Sequence, residues 1–274
     1  MSKKAKKGLV PELRFPSYGQ DGEWKEGILA DDSTIVRGGS PRPIDDFITD
    51  DVGGLNWLKI GDVDKNSKYV TGTEQRVLTS ALDKTRVVAP GDLILSNSMS
   101  FGRPYIMKIN SCIHDGWIAV TKIDNDVDTE FLYYLLGSDR TQAYFSRSAA
   151  GGGVKNLNAD IIKLLPTLIP TTIGEQQTIA ACLAALDSLL AAEREKLEAL
   201  RGHKKGLMQQ LFPAEGAKVP ALRFPGFKGE WMEKTMSDLA DITTGNKDTQ
   251  NKVADGSYPF FVRSQTIERI NSFY

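Results

Sequence analysis

The sequence predicts an α+β protein: a module of mixed strands and short helices, then a long coiled-coil-type helix, then a partial repeat of the module. Three observations carry this. Short runs rich in β-branched and aromatic residues alternate with helical runs through residues 17–170, separated by polar, glycine-bearing loops. A single apolar stripe then keeps coiled-coil spacing over several heptads. Finally, the opening of the chain returns near its end.

In chain order, strands are expected at 57–60, 92–95, 105–109 and 118–123, and helices at 129–136, 140–148 and 159–165. Loops are expected at 37–43, 96–103 and 149–158, where glycine, proline, serine and asparagine collect. Thr172-Ile173-Gly174-Glu175 has the form of a capping box, in which the threonine hydroxyl and the glutamate carboxylate would each satisfy a free N–H of the first turn. The helix it opens should run to about Leu211, where Phe212-Pro213 stops it. Its stripe is Ile179, Leu183, Leu186, Leu190, Glu193, Leu197, Leu200, Lys204, Leu207 and Leu211, in steps of three and four. The alanine-rich stretch 180–192 favours this helix, while Gly202 and Gly206 each cost about 1 kcal/mol relative to alanine.

The repeat is specific. Val10-Pro11-Glu12-Leu13-Arg14-Phe15-Pro16 returns as Val219-Pro220-Ala221-Leu222-Arg223-Phe224-Pro225, identical at six of seven positions, and Gly22-Glu23-Trp24 returns as Gly229-Glu230-Trp231. Ile35 and Gly38 align more faintly with Ile242 and Gly245, and residues 55–59 lie opposite 258–262. A period of about 207 residues is far beyond a solenoid unit. It marks a duplicated domain-sized module.

Composition excludes several classes. Hydrophobic content of 41% and charged content of 25% are those of a globular chain, with no apolar run long enough to span a bilayer and no signal-peptide core. The two cysteines, Cys112 and Cys182, imply no disulfide framework and fit a reducing cytoplasm. A net charge of −1 provides no bulk attraction to nucleic acid, so any such binding must be local. Catalytic signatures are missing. Gly151-Gly152-Gly153-Val154-Lys155-Asn156 lacks the spacing of a phosphate loop. His114 and Cys112 lack further ligands for zinc, His203 sits on the long helix, and no G-x-S-x-G elbow occurs. Glu23-Trp24-Lys25 could suggest a nuclease, but the second copy drops the lysine, so Trp24 and Trp231 read as structural anchors.

Binding features are better represented. The first loop carries Arg37, Ser40 and Arg42; the second carries Asn97, Ser98, Ser100 and Arg103; the third region carries Arg147, Lys155 and Asn156; and Lys59 ends the first expected strand. Arginine, asparagine, serine and lysine are the side chains that contact base edges and phosphates. Any soluble protein also has such loops. The Lys3-Lys4-Lys6-Lys7 tail reads as a solvated terminus.

The ordered set of features resembles the specificity subunits of type I restriction–modification enzymes. The resemblance rests on the repeated Pro-x-Leu-Arg-Phe-Pro…Gly-Glu-Trp openings, Asn56-Trp57-Leu58-Lys59-Ile60-Gly61-Asp62-Val63, Pro90-Gly91-Asp92-Leu93-Ile94-Leu95-Ser96, and Leu165-Pro166-Thr167-Leu168-Ile169-Pro170. Glu175-Gln176-Gln177 and Lys205-Gly206-Leu207-Met208-Gln209-Gln210-Leu211-Phe212 then match the beginning and end of the family's spacer helix. The resemblance implies a first target-recognition domain at 1–170, a spacer helix at 171–213, and the start of a second recognition domain, cut short, at 214–274. It implies a non-catalytic subunit in the cytoplasm that binds double-stranded DNA and no cofactor of its own. S-adenosylmethionine would then sit on methyltransferase subunits that methylate adenine, and ATP and magnesium on translocating restriction subunits. The stripe Ile179, Leu183, Leu186, Leu190, Leu197, Leu200, Leu207 and Leu211 would be a helix–helix or subunit interface, open to homodimerisation. The competing expectation is a coiled-coil scaffold or adaptor without a DNA role.

Overall fold

The computed structural model describes residues 10–97, 101–149, 157–263 and 265–272. They divide into two compact units, Met1–Glu193 and Arg194–Tyr274, with the division falling inside the long helix.

The first unit is built on two five-stranded mixed sheets. One has the order β3 (Ile48–Thr49), β6 (Gln75–Val77), β4 (Leu55–Leu58), β10 (Ser111–Ile113), β7 (Arg86–Val88). The other has the order β2 (Thr34–Arg37), β11 (Trp117–Thr121), β8 (Leu93–Ser96), β9 (Pro104–Met107), β5 (Tyr69–Val70). Pairing is antiparallel except for β10 on β4 and β5 on β9. A separate antiparallel pair joins β1 (Lys25–Ile28) to β12 (Pro166–Ile169).

The alternation of side chains along a strand explains how the layers stack. Leu93, Leu95, Ile118 and Val120 point to one face of the second sheet and pack under α1 (Thr129–Gly137), α2 (Asp139–Ser148) and α3 (Ala159–Lys163). Ile94, Trp117 and Ala119 point to the other face and meet Leu58, Val88 and Ile113 of the first sheet. β8 and β11 are therefore covered on both sides, which is why they read as continuous apolar runs. Each of the three helices starts on a side-chain cap: Asp128 accepts from Phe131 N–H, Ser138 from Thr141 N–H, and Asn158 from Ile161 N–H.

The structure adjusts several expectations. β11 ends at Thr121, because Lys122 sits at φ 49° and cannot continue the pleat. α3 stops at Lys163, short of Leu165, whose successor Pro166 disfavours helical backbone before it. The capping box is overturned. Glu175 directs its carboxylate at Arg14, accepting from Nε at 2.7 Å and from the terminal nitrogen at 2.6 Å, and it also takes a 3.3 Å bond from the Trp24 indole. Its own N–H donates to the Thr172 carbonyl.

The long helix α4 (Ile173–Leu211) spans 39 residues, about 58 Å at 1.5 Å per residue. Its first turns are rooted in the first unit. Gln176 accepts from Asp128 N–H and donates to the carbonyls of Asp126 and Pro170, and Asp187 accepts from the Tyr134 hydroxyl at 2.7 Å.

In the second unit the chain after α4 folds back, Leu222 N–H donating to the Gln210 carbonyl and Trp231 lying edge-on to Phe212. α5 (Met236–Leu239) and the antiparallel pair β13 (Tyr258–Phe260) and β14 (Glu268–Ile270) follow. β13 coincides with the segment aligned to β4, and Arg223 donates to the Gly229 carbonyl as Arg14 does to that of Gly22. No helix among the described residues is long and apolar enough to cross a membrane, and no group of three or more histidine, cysteine or acidic residues there is placed to hold a metal.

Candidate nucleic-acid interface

The turn His114-Asp115-Gly116, between β10 and β11, is where the loops meet. It is fixed by backbone bonds: Trp117 N–H to the His114 carbonyl, Asn97 N–H to the Gly116 carbonyl, and Gly39 N–H to the Ile113 carbonyl. Gly116 N–H also donates to His114 Nδ1 at 2.9 Å. The loop after β2 approaches so closely that a methyl group on Gly38 would run into the His114 carbonyl. Glycine is required there for space, not for an unusual backbone angle.

Four of the side chains singled out in the sequence converge on Asp115. Arg37 Nε and Asn97 Nδ2 both donate to its backbone carbonyl, at 3.0 and 3.2 Å. Ser40 Oγ donates to Oδ1 at 3.1 Å and accepts from the Asp115 N–H at 3.2 Å. His114 Nε2 lies 3.1 Å from the same Oδ1. Arg42 reaches Oδ2 at 3.5 Å, while its side chain is 82% exposed. Ser40, Arg42 and His114 also line a cleft of about 620 Å³ whose walls include Trp57, Ile60 and Lys59. Lys59 points to Glu74 and Asp62, at 3.5 and 3.7 Å, and not to Asp115. Asn97 is buried, and its carbonyl accepts from Leu157 N–H, so the chain leaving the third loop region returns to this point.

The remaining candidates are distributed. Arg147 is exposed in the last turn of α2. Arg103 stacks over Tyr105 and lines a different cleft, of about 780 Å³, with Phe101, Tyr133, Gln142 and Asp187. Beside that cleft Lys68 lies against the rings of Tyr133 and Tyr134 and pairs with Glu130. Burial and the bond to Glu130 push the Tyr69 hydroxyl up to about 12, and burial with the bond to Asp187 raises Tyr134 as well, so both act as neutral donors. Ser98, Ser100, Lys155 and Asn156 lie outside the described residues.

The helix stripe needs one correction. Ile179 is half-buried against the core of the first unit and belongs to the root of α4, because the helix docks there. Leu207 and Leu211 are half-buried in the second unit. Leu183, Leu186 and Leu190 in the first unit and Leu197 and Leu200 in the second are 37–57% exposed, with Glu193 between them in the stripe.

Asp115 was missed at the level of sequence. A signal existed, because Asp-Gly between two apolar runs marks a tight turn. What sequence could not provide is that the turn meets three side chains from residues 37–42 in space, across the long stretch of chain between them.

A family model described as the type I restriction modification DNA specificity domain matches residues 22–201, more than half of the chain. Among solved structures, the HsdS subunit from Thermoanaerobacter tengcongensis is 22% identical with a TM-score of 0.50, covering 66% of this chain and 42% of that one. A chain from work on complex assembly and conformational transition of the type I R-M system is 21% identical with a TM-score of 0.55, covering 70% and 46%. The present chain thus spans less than half the length of these two, and at that identity they speak to fold alone.

Proposed function

We infer that this chain, which belongs to the type I restriction–modification DNA specificity domain family, reads one stretch of duplex DNA through the loops gathered around Asp115. The observation that carries this reading is the convergence of Arg37, Ser40, Arg42 and Asn97 on one half-buried turn. Side chains of these types make base-edge and phosphate contacts. Anchoring them to a fixed backbone lowers the ordering cost of binding. Arg103, Arg147, Lys59, Ser98, Ser100, Lys155 and Asn156 would extend the footprint.

The chain would supply recognition, and partner subunits the chemistry: adenine methylation with S-adenosylmethionine, and cleavage driven by ATP with magnesium. The exposed leucines of α4, Leu183, Leu186 and Leu190 before Glu193 and Leu197 and Leu200 after it, support a helical partner, either one of those subunits or a second copy of this chain. Light scattering that gives a monomer at micromolar concentration would exclude the second copy.

A duplex-binding titration at several salt concentrations tests the DNA reading. Affinity should favour one sequence and fall steeply with salt through counterion release. A scaffold without a DNA role shows neither behaviour.

A further inference from the structure

We propose that Asp115 is itself a specificity-determining residue, its Oδ2 accepting a hydrogen bond from the exocyclic amine of a cytosine or adenine in the major groove. This rests on the DNA reading above and deepens it. The two carboxylate oxygens have different surroundings. Oδ1 is held on the protein side by Ser40 Oγ and His114 Nε2, both at 3.1 Å. Oδ2 meets only the Arg42 guanidinium, at 3.5 Å, among the described residues. An exposed ion pair of that length contributes little and exchanges readily. Arg42 can therefore leave for a neighbouring phosphate, uncovering an oriented acceptor.

The electrostatics favour a reading role over a bystander. An uncompensated carboxylate amid groups that face phosphates costs affinity for every sequence. It becomes favourable only where a donor on a base meets it, and amine-bearing bases provide that donor. The residue is also aimed. Its backbone carbonyl takes Arg37 and Asn97, its N–H takes Ser40, and the flanking Gly116 is tied to Asn97. A side chain on such a fixed turn can discriminate positions along a groove. The His114 ring, edge-on to Trp57 at 6.0 Å, supports the turn from below.

The test is selection of the full chain, and of its Asp115→Asn and Asp115→Ala variants, from a random duplex library, followed by titrations on the selected and an arbitrary duplex. Wild type should enrich one sequence with cytosine or adenine at one position. Asp115→Asn keeps the acceptor toward Ser40 and His114 but places a donor at Oδ2, so preference at that position alone should change. Asp115→Ala should lose about 5- to 150-fold discrimination there, the equivalent of one good base contact, while binding to the arbitrary duplex holds or rises. If both variants select the wild-type sequence with uniformly weaker affinity, Asp115 is only a structural node and the inference falls alone. If wild type selects no sequence, the DNA reading falls and takes this inference with it.

Discussion

The chain contains nearly the same opening twice, and the two copies end up in very different surroundings. In the first, the Arg14 side chain is 7% exposed and grips the Glu175 carboxylate, itself 1% exposed, while Trp24 packs edge-on to Phe131 of α1 and donates to the same carboxylate. In the second, Arg223 ties to the Gly229 carbonyl, and Trp231 lies against Phe212 with 41% of its surface in solvent. The local device shared by both is the arginine-to-glycine turn. The buried ion pair and the aromatic contact depend on α1 and on the first turns of α4, against which the first copy folds. The motif thus specifies a turn, and its neighbours decide whether that turn is also an anchor.

The largest expected effect follows from this difference. Glu175→Ala leaves the Arg14 guanidinium buried and unpaired, and should lower the stability of the first unit by about 3 kcal/mol or more. The matching change Arg223→Ala should stay within about 0.5 kcal/mol, as for a surface position. Chemical denaturation of both variants checks the pair, and equal losses would break the comparison. The tryptophans should follow the same order. Trp24→Ala removes a half-buried ring and an indole bond and should cost about 2 kcal/mol. Trp231→Ala removes one exposed aromatic contact and should cost about 1 kcal/mol or less. Next comes Tyr134→Phe, which deletes the bond from α1 to Asp187 of α4 at a cost of about 1 kcal/mol. Amide exchange should then quicken in 183–190 while the sheet stays protected, because only the root of the helix is released.

The sequence was informative where the signal is local. The long helix from Ile173 to Leu211, the short helices α1 to α3, and the doubly buried strands β8 and β11 were all legible as local runs, while the caps at Asp128, Ser138 and Asn158 came from the structure. The short strands β1, β2, β5, β7 and β10 did not stand out, since two to four residues carry little period and each is fixed by partners far away in the chain, such as Lys25 opposite Ile169. Glu175 shows the same limit: local pattern makes it a cap, and a partner 161 residues earlier in the chain takes it instead. In the site, loop composition pointed to Arg37, Ser40, Arg42 and Asn97, but their common anchor at Asp115 exists only through pairing of β2 and β8 with β11.

The two cysteines read the first copy's module directly, because both lie in its unit. Cys182 is exposed on α4, whereas Cys112 is buried in β10 and burial pushes its thiol up to about 11. At pH 8 a thiol with that value is ionised in only about one molecule in a thousand, and the thiolate is the reactive form. A thiol reagent should therefore label Cys182 promptly and leave Cys112 untouched in the folded protein. In a Cys182→Ser background the remaining slow reaction reports opening of the sheet that holds Cys112. Adding Glu175→Ala should speed it by the factor that its loss of stability sets, and adding Arg223→Ala should leave it unchanged. Faster labelling with Arg223→Ala would mean that the second copy also supports the first unit, and that the contrast between the two openings is one of degree.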